Sequence, residues 1–214
     1  MEQGGIVVRA NELGARTGRG WIYRDVTCVV HEGEVGAIAG PAGSGRTSLL
    51  LALAGRMGFS VGALTVCGHD LPDRADAVRS RVALARVGGG VAELEPELRV
   101  RDHLVERGRR GLDREARFDK ACGRLGLAVD REALVGGLTA SQAVLLSLAL
   151  ALLDEPAVVL LDDLDRGLPG AEQTELWQRL RALTEDGITV LASTTDPAPA
   201  TGWADVVVEL GGAR

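Results

Sequence analysis

No run of apolar residues in this chain approaches the roughly 18–20 that a membrane span needs, although apolar residues make up 46% of its 214 positions. The N-terminus, MEQGGIVVRA, has neither the basic start nor the apolar stretch of a secretory signal, so the chain is expected to stay in the cytosol. Cysteine is scarce: Cys28, Cys67 and Cys122 are odd in number and lack C-x-x-C spacing. That argues against a disulfide framework or a thiolate metal site and suits buried thiols in a reducing compartment. Lysine is nearly missing, since all but one of the 24 basic residues are arginine, Lys120 being the exception. With 30 acidic residues the net charge is −6, so the chain lacks the balance of a surface that tracks nucleic-acid phosphates, and no nucleic-acid partner is expected. There is no internal repeat and no long Gly/Ser linker. The length then suits one compact domain able to bury a sizeable core.

What is present is an alternation of short apolar runs and helical stretches. Ile6–Val8, Val26–Val30, Val35–Ala39, Ala63–Val66, Val158–Leu161, Ile188–Ala192 and Val206–Leu210 read as strands, several with the unbroken apolar character of buried sheet. Thr47–Ala54, Gln142–Leu153 and Gln173–Thr184 have helical length and apolar spacing and lie between strands. That βαβ order predicts an α/β fold with a mostly parallel sheet. From about Ala92 to Leu138 the pattern turns charged, Arg-rich and helical, which predicts a helical insert whose charges chiefly form a solvated face. His31, His69 and His103 stand outside every motif and are expected at the surface or in loops.

After the apolar strand Val35–Ala39 come Gly40, Pro41, Ala42, Gly43, Ser44, Gly45, Arg46, Thr47 and Ser48, with a helix following directly. Glycines let successive N–H groups curl around a phosphate, and the helix N-terminus points its positive end at the anion. The Thr47 hydroxyl is then placed to ligate Mg²⁺. The alternative is a Gly-rich turn that merely joins strand to helix. One position departs from the strict G-x-x-x-x-G-K-[ST] pattern, because Arg46 stands where lysine belongs. Arginine keeps the charge, but its planar fork is bulkier than an ammonium.

The order of segments resembles the ABC ATPases along nearly the whole chain. Gly62-Ala63-Leu64-Thr65-Val66-Cys67-Gly68 looks like the G-x-[IVL]-x-[IVL]-x-G strand of that family, and Pro96-Glu97-Leu98-Arg99-Val100 like the stretch after its glutamine loop. Counting back puts the expected glutamine near Val87, and no glutamine is there. Leu138-Thr139-Ala140-Ser141-Gln142 is similar to the LSGGQ signature, although by itself it also reads as a helix N-cap. It stands 20 residues before Val158-Val159-Leu160-Leu161-Asp162-Asp163, as the family order requires. Asp162 ends a buried strand, where a carboxylate needs a partner such as Mg²⁺. Asp163 occupies the position of the catalytic glutamate, one methylene shorter. Thr195, in Ser193-Thr194-Thr195-Asp196, stands where the switch histidine contacts the γ-phosphate, and Pro169 replaces the D-loop aspartate. The adenine-stacking position falls near Arg16, with Trp21 and Tyr23 close by and core packing the expected job of Tyr23.

The resemblance implies a P-loop core of parallel sheet and flanking helices, a small antiparallel β subdomain and an inserted helical subdomain. Residues 1–86 and 142–214 would form the core and 87–141 the insert. It implies Mg²⁺ and ATP as cofactors, with the ATP held by residues 40–48 and, in a head-to-tail homo- or heterodimer, by the partner's signature segment. It further implies a separate membrane permease docked near residues 88–110, and a place at the inner face of the membrane. Substitutions at Arg46, Val87, Asp163, Pro169 and Thr195 keep open a second reading, a hydrolysis-impaired regulator or the degenerate half of a heterodimer. The soluble ABC proteins of translation, DNA repair or chromosome structure usually show tandem cassettes, coiled-coil insertions or zinc cysteines, and this chain has none of these.

Overall fold

The computed structural model describes residues 4–86, 93–107 and 113–211. Val87, the expected glutamine position, and part of the expected permease-docking stretch lie outside them. The chain opens with two long strands, β1 (Ile6–Thr17) and β2 (Gly20–His31), then β3 (Val35–Ala39), α1 (Arg46–Leu53), β4 (Val61–Val66), β5 (His69–Leu71), α2 (Ala75–Arg79) and β6 (Val82–Leu84). Two helices follow, α3 (Val100–Arg107) and α4 (Arg114–Leu125). The rest is α5 (Ala140–Ala151), β7 (Val158–Leu161), α6 (Gly170–Thr184), β8 (Thr189–Thr194) and β9 (Val206–Glu209).

The strands form two sheets. An antiparallel one runs β2-β1-β4-β5, and a parallel one runs β6-β7-β8-β3-β9. Every strand of the parallel sheet points the same way, so the carboxyl ends of β3, β8, β7 and β6 share one edge. In open α/β sheets that edge is where ligands bind.

The unbroken apolar runs are explained by the period of two along a strand. Val159, Leu161, Val190, Ala192, Val35 and Ala37 face one core together with the helices α3 to α6. Val158, Leu160, Leu191 and Ile38 face a second core built with α1 and the antiparallel sheet. Trp177 of α6 and Phe118 of α4 are the bulkiest side chains buried in the first core. The α5 helix is capped by a reciprocal pair: Gln142 N–H donates to Thr139 Oγ1 at 3.2 Å, and Thr139 N–H donates to Gln142 Oε1 at 3.1 Å.

Several sequence expectations need correction. Strand β1 continues to Thr17 and β2 begins at Gly20, because a hairpin register carries the pairing through residues that are not apolar. Strands β5 and β6 were not expected. Each has three residues, too short for a hydrophobic period to register, and is held by its neighbour strand. His103 is not at the surface. It is 2% exposed on α3, and its Nε2 accepts a hydrogen bond from Glu95 N–H at 3.1 Å. His31 and His69 are half-buried at the end of β2 and the start of β5. A lone histidine gives no sequence sign of such packing, since the ring buries readily once a main-chain partner satisfies it.

Candidate functional site

The site begins where β3 gives way to α1. Gly43 and Gly45 take φ values of 80° and 93°, a left-handed region open to glycine at no steric cost. At Gly45 a Cβ would also lie 2.5 Å from the Ile22 carbonyl oxygen of β2. Helix α1 starts at Arg46 with no side-chain cap and no acid in its first turn, so its first N–H groups are available to an anion. Pro41, Ala42 and Gly43 form an exposed rim. Behind it the Ser44 hydroxyl is buried without a hydrogen-bond partner, and Thr47 and Ser48 are half-buried in the first helical turn.

Strand β8 lies between β3 and β7 and stitches them together at the shared edge. Ser193 Oγ donates to Asp162 Oδ1 and accepts from Asp163 N–H at 2.8 Å, while Gly40 N–H donates to the Thr194 carbonyl at 3.2 Å. On the other oxygen, Asp162 Oδ2 accepts from Thr47 Oγ1 at 2.6 Å. The carboxylate is 1% exposed, and two hydroxyls offset the cost of burying it.

Arg46 is buried and turned back over the loop. Its Nη1 donates to the Gly40 carbonyl and its Nη2 meets Asp163 Oδ1 at 2.7 Å. Its Nε is buried without a partner. Thr195 is likewise engaged, since its N–H donates to Asp165 Oδ2 at 2.8 Å and its hydroxyl to the same oxygen. The structure thus gathers residues 40–48, Asp162, Asp163 and Thr195 at the carboxyl edge of the parallel sheet. The segment 138–142 takes no part in those contacts. It opens α5, where Thr139 is the N-cap, and Ala140 packs beside Gly167, whose added Cβ would stand 3.9 Å from it.

Sequence reasoning missed Ser193, Asp165 and Arg86 as parts of this cluster. Arg86 follows β6, and its Nη2 donates to the Asp163 carbonyl. The only signal for it was a lone arginine after a short apolar run, and for Asp165 an acid two residues beyond Asp163. The residues weighed for base stacking are separated by the structure. Tyr23 is buried in the core, whereas Arg16 and Trp21 are register partners across the β1–β2 hairpin and stack at 5.8 Å. Ile22, next to Trp21, is the residue whose carbonyl abuts Gly45.

The donor set fits a phosphate and a divalent cation. The orphaned Ser44 hydroxyl and the uncapped α1 suit phosphate oxygens. Thr47 and Asp162 supply hard oxygen ligands, and the remaining coordination would come from phosphate and water. Among the described residues no group of three or more His, Cys, Asp or Glu forms a self-sufficient metal cage.

The family model of the ABC transporters matches residues 23–165, from β2 through the Asp162-Asp163 pair. The chain belongs to this ABC transporter family. It is similar to a Nod factor export ATP-binding protein I of Burkholderia lata, 31% identical over 84% of this chain and 59% of the relative. It is also similar to a daunorubicin resistance ATP-binding protein of Streptomyces coeruleorubidus, 35% identical over 77% of this chain and 52% of the relative. The cassette therefore spans a little over half the length of these curated relatives. In fold it matches MJ0796, a bacterial ABC transporter cassette solved as a dimer, with a TM-score of 0.77 and 19% identity over 96% of this chain and 94% of that one. No described helix is long and apolar enough to cross a membrane.

Proposed function

We propose that this cassette binds Mg-ATP at Gly40–Ser48 and serves as the ATP-binding subunit of a transporter whose membrane permease is a separate chain. The observation that carries the reading is the buried Thr47–Asp162 link at 2.6 Å beneath the glycine loop. It joins two hard oxygen groups from distant parts of the chain, which would serve as cation ligands where phosphates would enter. Ser44 and the N–H groups of α1 would bind the phosphates, and the Arg16–Trp21 stack offers a flat face for the base. Bound Mg²⁺ would neutralise charge on the terminal phosphates. Thr47 and Asp162 would hold it, and Asp163, once released from Arg46, would accept a proton from the attacking water.

A relative solved as a dimer supports pairing of two cassettes, identical or not, in which Leu138, Thr139, Ala140, Ser141 and Gln142 of each would face the other's nucleotide. Val105 on α3, 65% exposed, supports docking of the permease near residues 88–110, within an insert that would span 87–141, with 1–86 and 142–214 as core. The cassette would then lie at the cytoplasmic face of the membrane. The relatives' names make export of a small molecule the favoured direction.

A second reading, slow or absent turnover, is favoured by the pairing of Asp163 with Arg46 and of Thr195 with Asp165. Steady-state hydrolysis with Mg²⁺ on the parent and on Arg46→Lys separates the two. Binding with turnover that rises in the lysine variant supports a detuned ATPase. Binding with no turnover in either supports a regulator or a degenerate half. No ATP binding at all would overturn both.

A further inference from the structure

Arg86 belongs to no motif, yet it lies just past β6, beside Asp162. Past Leu84 the β6–β7 pairing continues, with Ala85 N–H donating to the Leu160 carbonyl at 2.8 Å and Asp162 N–H to the Arg86 carbonyl at 2.7 Å. The Arg86 side chain therefore emerges at the edge that carries Asp162 and Asp163. Burial pulls its guanidinium below the ordinary arginine range and Arg166 pushes the same way, while Asp163, Asp162 and Asp165 oppose them. The side chain's hydrogen bond goes to the Asp163 main-chain carbonyl, with the three carboxylates near enough to favour its charge.

Asp163 is the residue that needs holding. Its φ is 46°, a left-handed conformation that strains a non-glycine residue and persists only where the surroundings impose it. Both peptide groups flanking it are pinned. Its N–H donates to Ser193 Oγ at 2.8 Å, and its carbonyl accepts from Arg86 Nη2. In that conformation the carboxylate meets Arg46 Nη2 at 2.7 Å. Arg46 carries one guanidinium, and a phosphate in the loop would claim it in competition with Asp163.

We propose that Arg86 is a positioning residue which, by holding the Asp163 carbonyl, keeps the Arg46–Asp163 pair closed against incoming phosphate. This inference rests on the nucleotide reading of the loop, and the test separates failure of one from failure of the other. ADP without Mg²⁺ is titrated by calorimetry into the full chain and into Arg86→Lys, Asp163→Asn and the double variant. Lysine keeps the charge but cannot reproduce the fork that reaches the carbonyl. Asp163→Asn should tighten ADP roughly tenfold, the scale of one charged hydrogen bond returned to the ligand. Arg86→Lys should tighten it by a smaller factor, and the double variant should be no tighter than Asp163→Asn.

A merely structural Arg86 would weaken ADP or leave it unchanged, and by the same factor in both backgrounds. Either result overturns the proposal. Arg86→Gln, read the same way, replaces the lysine variant if that one does not fold. If none of the proteins binds ADP, the nucleotide reading fails, and the positioning role is decided on unfolding midpoints without added nucleotide. Arg86→Lys and Arg46→Met must then lose less together than the sum of their separate losses. Additive losses overturn the proposal.

Discussion

The two ends of the site cluster are built differently. At the glycine-loop end the backbone predominates: positive-φ glycines, an uncapped helix start and one hydroxyl–carboxylate contact, Thr47 to Asp162. At the other end, where water and a third phosphate would sit, the groups are side chains already engaged with one another, Arg46 with Asp163 and Asp165 with Thr195. Backbone geometry tolerates side-chain drift, because the N–H groups remain whatever the residue. Side-chain chemistry does not, since a methylene more or less moves a reacting atom by about 1 Å, which can cost on the order of 10²-fold in rate. The difference teaches that this cassette keeps its proposed holding machinery in working form while its proposed water-activating machinery is tied up.

The change that should break the comparison most severely is Gly45→Val. Its Cβ would meet the Ile22 carbonyl at 2.5 Å with φ at 93°, and ATP affinity should fall beyond detection in calorimetry. Unchanged affinity would remove the phosphate loop from the site. Next is Ser193→Ala, which strips a hydroxyl from both Asp162 and the Asp163 amide. Leaving those buried groups short of a partner should cost about 1–3 kcal/mol in denaturant unfolding. A loss under about 0.5 kcal/mol, within the range of ordinary surface substitutions, would show that β8 does not stitch the two ends together.

Thr139→Ala sharpens the comparison from outside the cluster. It should cost about 1 kcal/mol of stability through the lost α5 cap. ATP affinity of the single chain should stay at the parental value, and a parallel drop in affinity would place the segment 138–142 in the chain's own site. The smallest effect is expected from Tyr23→Phe. The hydroxyl is buried with no partner, so its removal should leave neutral-pH stability unchanged or slightly higher. Burial pushes this phenol up to about 12 from its ordinary 10.0. The unfolded chain therefore ionises first, and stability is lost as pH rises from the ordinary value through the raised one. The phenylalanine variant should lose less over that window in alkaline melts, and an identical alkaline loss would place the ionising group elsewhere.

Legibility followed the same divide as function. Val35–Ala39 and Val158–Leu161 announced themselves as buried strands, and both are fully buried. The glycine loop was legible because its geometry depends on residues adjacent in sequence. The three-residue strands β5 and β6 were not, since their pairing comes from neighbours rather than from a period of their own. His103 was misread because burial of a single ring is decided by a main-chain partner at Glu95. The antiparallel sheet was expected only as something the family resemblance implied, and it is present as four strands.

By itself the sequence determined the alternation of strands and helices, the loop between β3 and α1, and the carboxylates at the end of β7. These follow from local steric freedom and from hydrophobic period, both written in consecutive residues. Only the tertiary structure decided which groups meet. Arg46 and Asp163 lie 117 residues apart in the chain, and Arg86 reaches the Asp163 carbonyl across 77. No local pattern encodes such pairs. They arise because a parallel sheet gathers the carboxyl ends of β3, β6, β7 and β8 at one edge, where each guanidinium taken out of water must find an acceptor, a carboxylate for Arg46 and a main-chain carbonyl for Arg86.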